Sequence, residues 1–119
     1  MTYIDGFVVP VKRKQLARYR SMAKLAGKVW LQYGALEFRE NVADDVAYGK
    51  RTSFPRSVKL KRGETVVFSY IVYRSRADRN RVVAKVMKDK RIGAMMQSKD
   101  VPFDGKRMIV GGFKTIVSA

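Results

Sequence analysis

The segment 64–74 most constrains the fold, because its apolar side chains occupy both faces of a predicted strand. These side chains are β-branched or aromatic: Val66, Val67, Phe68, Tyr70, Ile71, Val72 and Tyr73. Such residues favour a strand, and successive side chains of a strand point to opposite faces. The segment therefore predicts a sheet that needs an apolar covering layer on each side.

Residues 14–33 predict a long helix. Their apolar side chains recur at spacings of three and four, at Leu16, Tyr19, Ala23, Ala26, Trp30 and Tyr33. This spacing forms one continuous stripe on a helix, and Gly34 is suited to end it. Ser75, followed three residues later by Asp78, indicates the start of a second helix. A third, short helical turn is expected at 92–96.

Strands are also predicted at 3–9, 35–41 and 107–117, whereas 42–63 reads as a long irregular loop. The order β-α-β-β-α-β indicates an α+β ferredoxin-like sandwich, in which both helices cover one face of a four-stranded antiparallel sheet. One domain spans residues 1–119. Because the second sheet face is also apolar, we expect a homodimer in which two copies meet sheet to sheet and form a dimeric α/β barrel.

Five blocks, in order along nearly the whole chain, carry a family resemblance. They are YIDGFVVPV at 3–11, GALEFRE at 34–40, TSFP at 52–55, ETVVF at 64–68 and PFDGKRMI at 102–109. The chain resembles the YbaA-like family, an uncharacterised bacterial family of the dimeric α/β-barrel superfamily. The resemblance implies a homodimer and no particular reaction, since the superfamily includes cofactor-independent monooxygenases, isomerases, haem proteins and stress-responsive proteins.

The chain has no cysteine and no histidine. This composition excludes thiolate nucleophiles, the Ser-His-Asp triad and metal or haem sites that depend on those residues. An enzyme of this composition would rely on Asp, Glu, Tyr, Lys or Arg, and we expect no cofactor and no metal. No membrane span and no secretory signal is expected either, which favours a cytoplasmic location.

The charge is strongly positive, with 26 Lys and Arg against 10 Asp and Glu, a net +16. The excess lies mainly on the predicted helices, where the resemblance implies mixed signs. Three explanations stay open: a nucleic-acid-binding surface, a surface engineered for high positive charge, and a basic natural variant that binds polyanions only non-specifically. The candidate polyanion contacts are Lys14, Arg18, Lys24, Lys28, Arg76, Arg79, Lys85 and Lys88.

The space between helices and sheet is the expected ligand pocket. The candidates are Trp30, Tyr33, Arg39, Glu40, Phe54, Tyr70, Phe103, Asp104 and Arg107. Each also has a structural interpretation. Trp30 and Tyr33 would be core residues, Arg39 and Glu40 would pair across strands or across the dimer, and Asp104 would form a turn. The functional interpretation is that some of five polar residues converge at one spot, where a carboxylate near an arginine would bind a polar ligand or act as an acid–base pair: Asp5, Arg39, Glu40, Asp104 and Arg107.

The leading interpretation is thus a homodimeric protein of unknown activity with a small-molecule site between helices and sheet. One alternative is a cofactor-independent monooxygenase- or isomerase-like enzyme. The other is a polyanion-binding protein that acts through its basic helices.

Overall fold

The computed structural model describes residues 1–97 and 101–119. The strands are β1 (Tyr3–Lys12), β2 (Glu37–Val42), β3 (Glu64–Tyr73) and β4 (Ile109–Lys114), and the helices are α1 (Leu16–Gln32), α2 (Phe54–Ser57), α3 (Arg76–Met87) and α4 (Lys90–Met96). The strands form one antiparallel sheet in the order β2-β3-β1-β4. This is the predicted ferredoxin-like arrangement.

The main core lies between the sheet and helices α1, α3 and α4, on what we call the helix face. Its buried cluster comprises Val29, Ala35, Ile71, Tyr73, Val82, Val86 and Ile92. A second cluster on the same face joins Tyr19 of α1 to Val9, Val11 and Val67 of the sheet. The stripe on α1 and the alternate residues of β1 and β3 therefore pack together, as their spacing predicts.

Two predicted helix ends are present at the expected positions. Gly34 follows α1 with a φ of +117°, a conformation that glycine adopts without strain. The Ser75 Oγ accepts a hydrogen bond of 3.0 Å from the backbone N–H of Asp78, which caps α3. The start of α1 differs slightly from the prediction, because Arg13–Gln15 forms a 3-10 turn before the α-helix begins.

The opposite side of the sheet, here called the outer face, is covered at one end by the chain itself. Val58, which follows the one-turn helix α2, packs with Val8 and Val66 in a buried cluster bordered by Ala43 and Leu60. The stretch 42–63, predicted to be an irregular loop, therefore has a structural role, because it buries this end of the outer face.

The rest of the outer face is apolar and open. Phe68 is 44% exposed, Ile109 is 45% exposed and Phe113 is 62% exposed. The register places these side chains on one surface, since Val8 lies opposite both Phe68 and Ile109, and Ile4 lies opposite Phe113. The prediction of apolar residues on both faces thus holds, although one end of the outer face is covered within the protomer.

Candidate functional site

A cavity of about 590 Å³ lies between the helix face of the sheet and helices α1, α3 and α4. We call it the helix–sheet cavity. Its apolar wall includes Phe7, Val9 and Ile71 from the sheet, and Ala26 and Trp30 from α1. The core is therefore not closed over this part of the sheet, and a space of molecular size remains.

Methionine side chains form much of the wall. Five of the six methionines of the chain line the cavity: Met22, Met87, Met95, Met96 and Met108. The thioether side chain is flexible and polarisable, so a wall of this kind adapts its shape to different apolar molecules. The sequence analysis did not identify this feature, because the five residues come from three helices and a loop.

One polar group in the wall centres on Glu40 of β2, and we call it the Glu40 cluster. The Tyr19 hydroxyl donates a hydrogen bond of 2.7 Å to Glu40 Oε2, and the Ser69 hydroxyl also interacts with this carboxyl group. Burial raises the pKa of Glu40 above its ordinary value, while the two hydroxyls oppose that shift. Burial and the nearby carboxylate raise the pKa of Tyr19, so its phenol stays protonated.

A second polar group, the Asp5 cluster, lies two strands away. Arg79 of α3 donates a hydrogen bond of 2.9 Å to Asp5 Oδ1, and its guanidinium lies 5.0 Å from the centre of the Tyr3 ring. The Trp30 indole N–H donates to the Tyr73 hydroxyl at 3.1 Å. Burial and the adjacent Asp5 carboxylate raise the pKa of Tyr73. The cavity is thus apolar with two separate polar positions on its sheet wall.

The predicted pocket residues lie in several places. The cavity is lined by Trp30, Arg39, Glu40 and Phe103. The hydroxyl of Tyr33 instead donates to Asp89 at 2.7 Å, at the junction of α3 and α4. On the outer face, the Phe68 ring packs between two others: its centre lies 5.9 Å from that of Phe54 and 6.2 Å from that of Tyr70. Phe54 and Tyr70 therefore lie on the opposite side of the sheet from the cavity.

Arg39 and Glu40, which are expected to pair across strands or across the dimer, have different partners within the protomer. These neighbours on β2 point to opposite faces, and the Arg39 guanidinium, at the border of the cavity, pairs with Glu37. The Glu37 carboxylate raises the pKa of Arg39 through this contact. Glu40 contacts Tyr19 instead, so the two side chains have different partners although both residues line the cavity.

Arg107 and Asp104 form a third group, away from the cavity. Arg107 donates to both oxygens of Glu64, at 2.8 and 2.6 Å, to Asp104 Oδ2 at 2.8 Å and to the carbonyl of Lys59 at 3.0 Å. Asp104 also accepts from the backbone N–H of Lys106, which is consistent with the predicted turn. Of the five polar residues considered together from the sequence, Asp5, Arg39 and Glu40 therefore line the cavity, and Asp104 and Arg107 do not.

The candidate polyanion contacts are exposed with one exception. Arg79 is half-buried and paired with Asp5. A basic cluster that the sequence analysis did not identify surrounds a depression of about 480 Å³ at one end of the sheet: Lys12, Arg13, Lys14, Lys61 and Arg62. These cations come from the β1–α1 connection and the turn before β3, and their proximity follows from the antiparallel pairing of β1 with β3.

Two classes of site have no counterpart among residues 1–97 and 101–119. No cluster of three acidic side chains that could hold a metal ion is present in that part of the chain. None of the helices found there has the length and apolar character that a bilayer crossing requires.

Relatives with unassigned functions match nearly the whole chain. The uncharacterised protein YbaA of Escherichia coli K12 is 44% identical over 117 residues, which is 98% of this chain and 98% of the relative. The uncharacterised protein YbaA of Shigella flexneri matches with the same identity and coverage. The resemblance that the five sequence blocks indicate is confirmed.

Solved structures with little sequence similarity share the fold. A putative antibiotic biosynthesis monooxygenase from Nitrosomonas europaea has a TM-score of 0.61 at 9% identity, covering 97% of this chain and 90% of that protein. A dimeric ferredoxin-like protein from an uncultured marine organism also has a TM-score of 0.61, at 10% identity with complete coverage of both chains. The family model described as "Protein of unknown function (DUF1428)" matches residues 2–105, and the chain belongs to this family.

Proposed function

We propose that the protein binds a small, largely apolar molecule in the helix–sheet cavity. The observation that carries the proposal is the cavity itself, with a volume of about 590 Å³, a methionine-rich wall and two polar positions. Ligand sites in proteins commonly have volumes of a few hundred Å³, with apolar walls and a small number of polar groups that orient the ligand. A bound molecule would also remove this apolar wall from water.

The test compares two substitutions on the same helix. Ala26→Phe places a ring in the cavity, whereas Ala17→Phe adds the same ring at an exposed position of α1. The chain has a single tryptophan, Trp30, which lines the cavity, so its fluorescence reports occupancy. We expect 4-propylanisole to change this fluorescence in a saturable way in the natural protein and in Ala17→Phe, but not in Ala26→Phe. Equal titration curves for the two variants would contradict the proposal.

A cofactor-independent monooxygenase- or isomerase-like enzyme is the alternative. Glu40 favours it, because a carboxyl group with a raised pKa in an apolar wall is suited to exchange protons with a bound molecule. The Nitrosomonas europaea structure supports the fold of such an enzyme, and fold does not determine activity. The test is chromatography coupled to mass spectrometry of a bound compound after incubation with oxygen, because isomers share a mass and must be separated. Unchanged compound in all trials would argue for binding alone.

We also propose that a second copy of the chain covers the outer face. Its exposed apolar side chains, such as Phe68 and Phe113, support this assembly, as does the fold shared with a protein described as dimeric. Light scattering at moderate ionic strength should give the mass of a dimer. Phe68→Lys on the outer face should give a monomer, whereas Leu25→Lys at an exposed site on α1 should not. A dimer that survives Phe68→Lys unchanged would place the interface elsewhere.

Polyanion binding is a separate proposal, supported by the net charge of +16 and by the basic cluster beside Lys12. Titration of a fluorescent DNA duplex at rising salt is the test, since contacts with phosphates weaken steeply with salt. Binding that is lost near physiological salt and does not depend on the DNA sequence would indicate non-specific attraction. Binding at that salt that is selective for one DNA sequence would indicate a dedicated function. The cytoplasmic location stays a prediction.

A further inference from the structure

Glu40 differs from the other carboxylates of the sheet and helices in its partners. Five other carboxylates each pair with an arginine: Asp5 with Arg79, Glu37 with Arg39, Glu64 with Arg107, Asp78 with Arg81 and Asp89 with Arg91. Glu40 instead interacts with the hydroxyl groups of Tyr19 and Ser69, and no cation is among the groups that shift its pKa. Glu40 thus has hydroxyl partners in a chain with 26 basic residues.

The known partners leave room for a further hydrogen bond to Glu40. A carboxylate has about four acceptor positions, and the hydroxyls of Tyr19 and Ser69 use about two of them. The carboxyl group also lines the cavity, so a ligand can reach it. A part-buried carboxylate with unused acceptor positions loses some of its hydration, and an additional donor from a ligand would offset that loss.

The charge of the protein decides which donor is favoured. With a net charge of +16, the protein repels cationic ligands, and Arg79 lies in the same cavity wall. A neutral hydroxyl avoids this repulsion. Among neutral hydroxyls, acidic ones such as phenols and enols make stronger hydrogen bonds to a carboxylate than aliphatic alcohols do.

We propose that the ligand of the helix–sheet cavity is an apolar molecule with a phenolic or enolic hydroxyl group, and that this hydroxyl donates a hydrogen bond to Glu40. The inference rests on the proposed binding function and names its ligand class. Tyr19 and Ser69 orient the carboxyl group, and the methionine wall accommodates the apolar body of the ligand.

The test uses 4-propylphenol and 4-propylanisole, which differ in whether the oxygen carries a proton. The ¹⁵N-labelled indole N–H of Trp30 gives one side-chain signal that reports binding of either compound. In the natural protein we expect the phenol to bind about tenfold more tightly than the ether, because a hydrogen bond to a charged group is involved. In Glu40→Gln, which preserves the side-chain shape, this preference should fall to about threefold or less. Asp45→Asn is the matched control, because it removes one carboxylate at an exposed position outside the cavity, and it should keep the preference.

The possible results separate the two proposals. If neither compound binds the natural protein, the binding function is wrong and this inference fails with it. If both bind with equal affinity, the cavity is a ligand site and the hydroxyl assignment is wrong. A preference for the phenol that persists in Glu40→Gln would place the hydroxyl elsewhere, and tighter binding of 4-propylbenzylamine than of the phenol would show that Glu40 selects a cation instead.

Discussion

Replacement of Arg107 by methionine should strongly destabilise the protein. Arg107 connects the segment before β4 to the start of β3 by two hydrogen bonds to Glu64, at 2.8 and 2.6 Å. The side chains of Arg107 and Glu64 are only 14% and 6% exposed. Methionine preserves most of the apolar stem and removes the charge, so Glu64 would keep a buried carboxylate without its cation.

The expected loss is about 3 kcal/mol of the free energy of unfolding at pH 7, at the lower end of the cost of breaking a buried ion pair. For a domain of this size, that loss corresponds to a fall of about 10 °C in Tm. Lys106→Met is the matched control, since Lys106 is adjacent and exposed. It removes the same charge and should change stability by about 0.5 kcal/mol or less.

The pH dependence provides a second check on the same variant. Arg107 holds the pKa of Glu64 below its ordinary value of 4.5. This interaction therefore stabilises the folded protein above pH 4.5, and the stabilisation is lost as the pH falls through the lowered pKa. Urea denaturation at fixed protein concentration should show the difference between the natural protein and Arg107→Met shrinking on acidification. A loss below about 1 kcal/mol at pH 7, or a difference independent of pH, would refute the reasoning.

Further predictions concern glycine packing and a helix cap. In Gly27→Ala the new Cβ would lie 2.8 Å from Cδ1 of Phe38, so we expect a net loss of stability despite the helix propensity of alanine. Gly93→Ala, where no atom lies within 4 Å of the new Cβ, should gain about 0.5–1 kcal/mol. Thermal unfolding should therefore give a lower Tm for Gly27→Ala and a higher Tm for Gly93→Ala. Ser75→Ala should cost about 1 kcal/mol in urea denaturation, because the N–H of Asp78 loses its acceptor, and an unchanged midpoint would show that the cap contributes little.

The elements that the sequence predicts well are those with a strong local pattern. The stripe along α1 and the apolar run of β3 depend on spacing alone, so the fold follows from them and from the order of elements. The cover over Val66 is different, because Val58 lies in a stretch without periodicity and reaches the outer face through tertiary packing. Nothing in the local pattern of 42–63 indicates this contact.

The site was predictable in part, for a similar reason. Glu40, which the sequence suggests as a pocket residue, lies in the cavity wall, and strand alternation places its neighbour Arg39 on the opposite face, where Arg39 pairs with Glu37. Its actual partners, Tyr19 and Ser69, are identified by the register of β2 with β3 and by the position of α1 over the sheet. Such long-range pairings are not visible in the periodicity of a single segment.

The methyl signals of ¹³C-labelled methionine test the cavity most directly. Five methionines line the helix–sheet cavity, and Met1, 79% exposed at the N-terminus, does not. Addition of 4-propylphenol should shift the five cavity signals along one saturable curve and leave the Met1 signal unchanged. Signals that stay in place at saturating probe, or that all drift without saturation, would contradict a ligand site between the helices and the sheet.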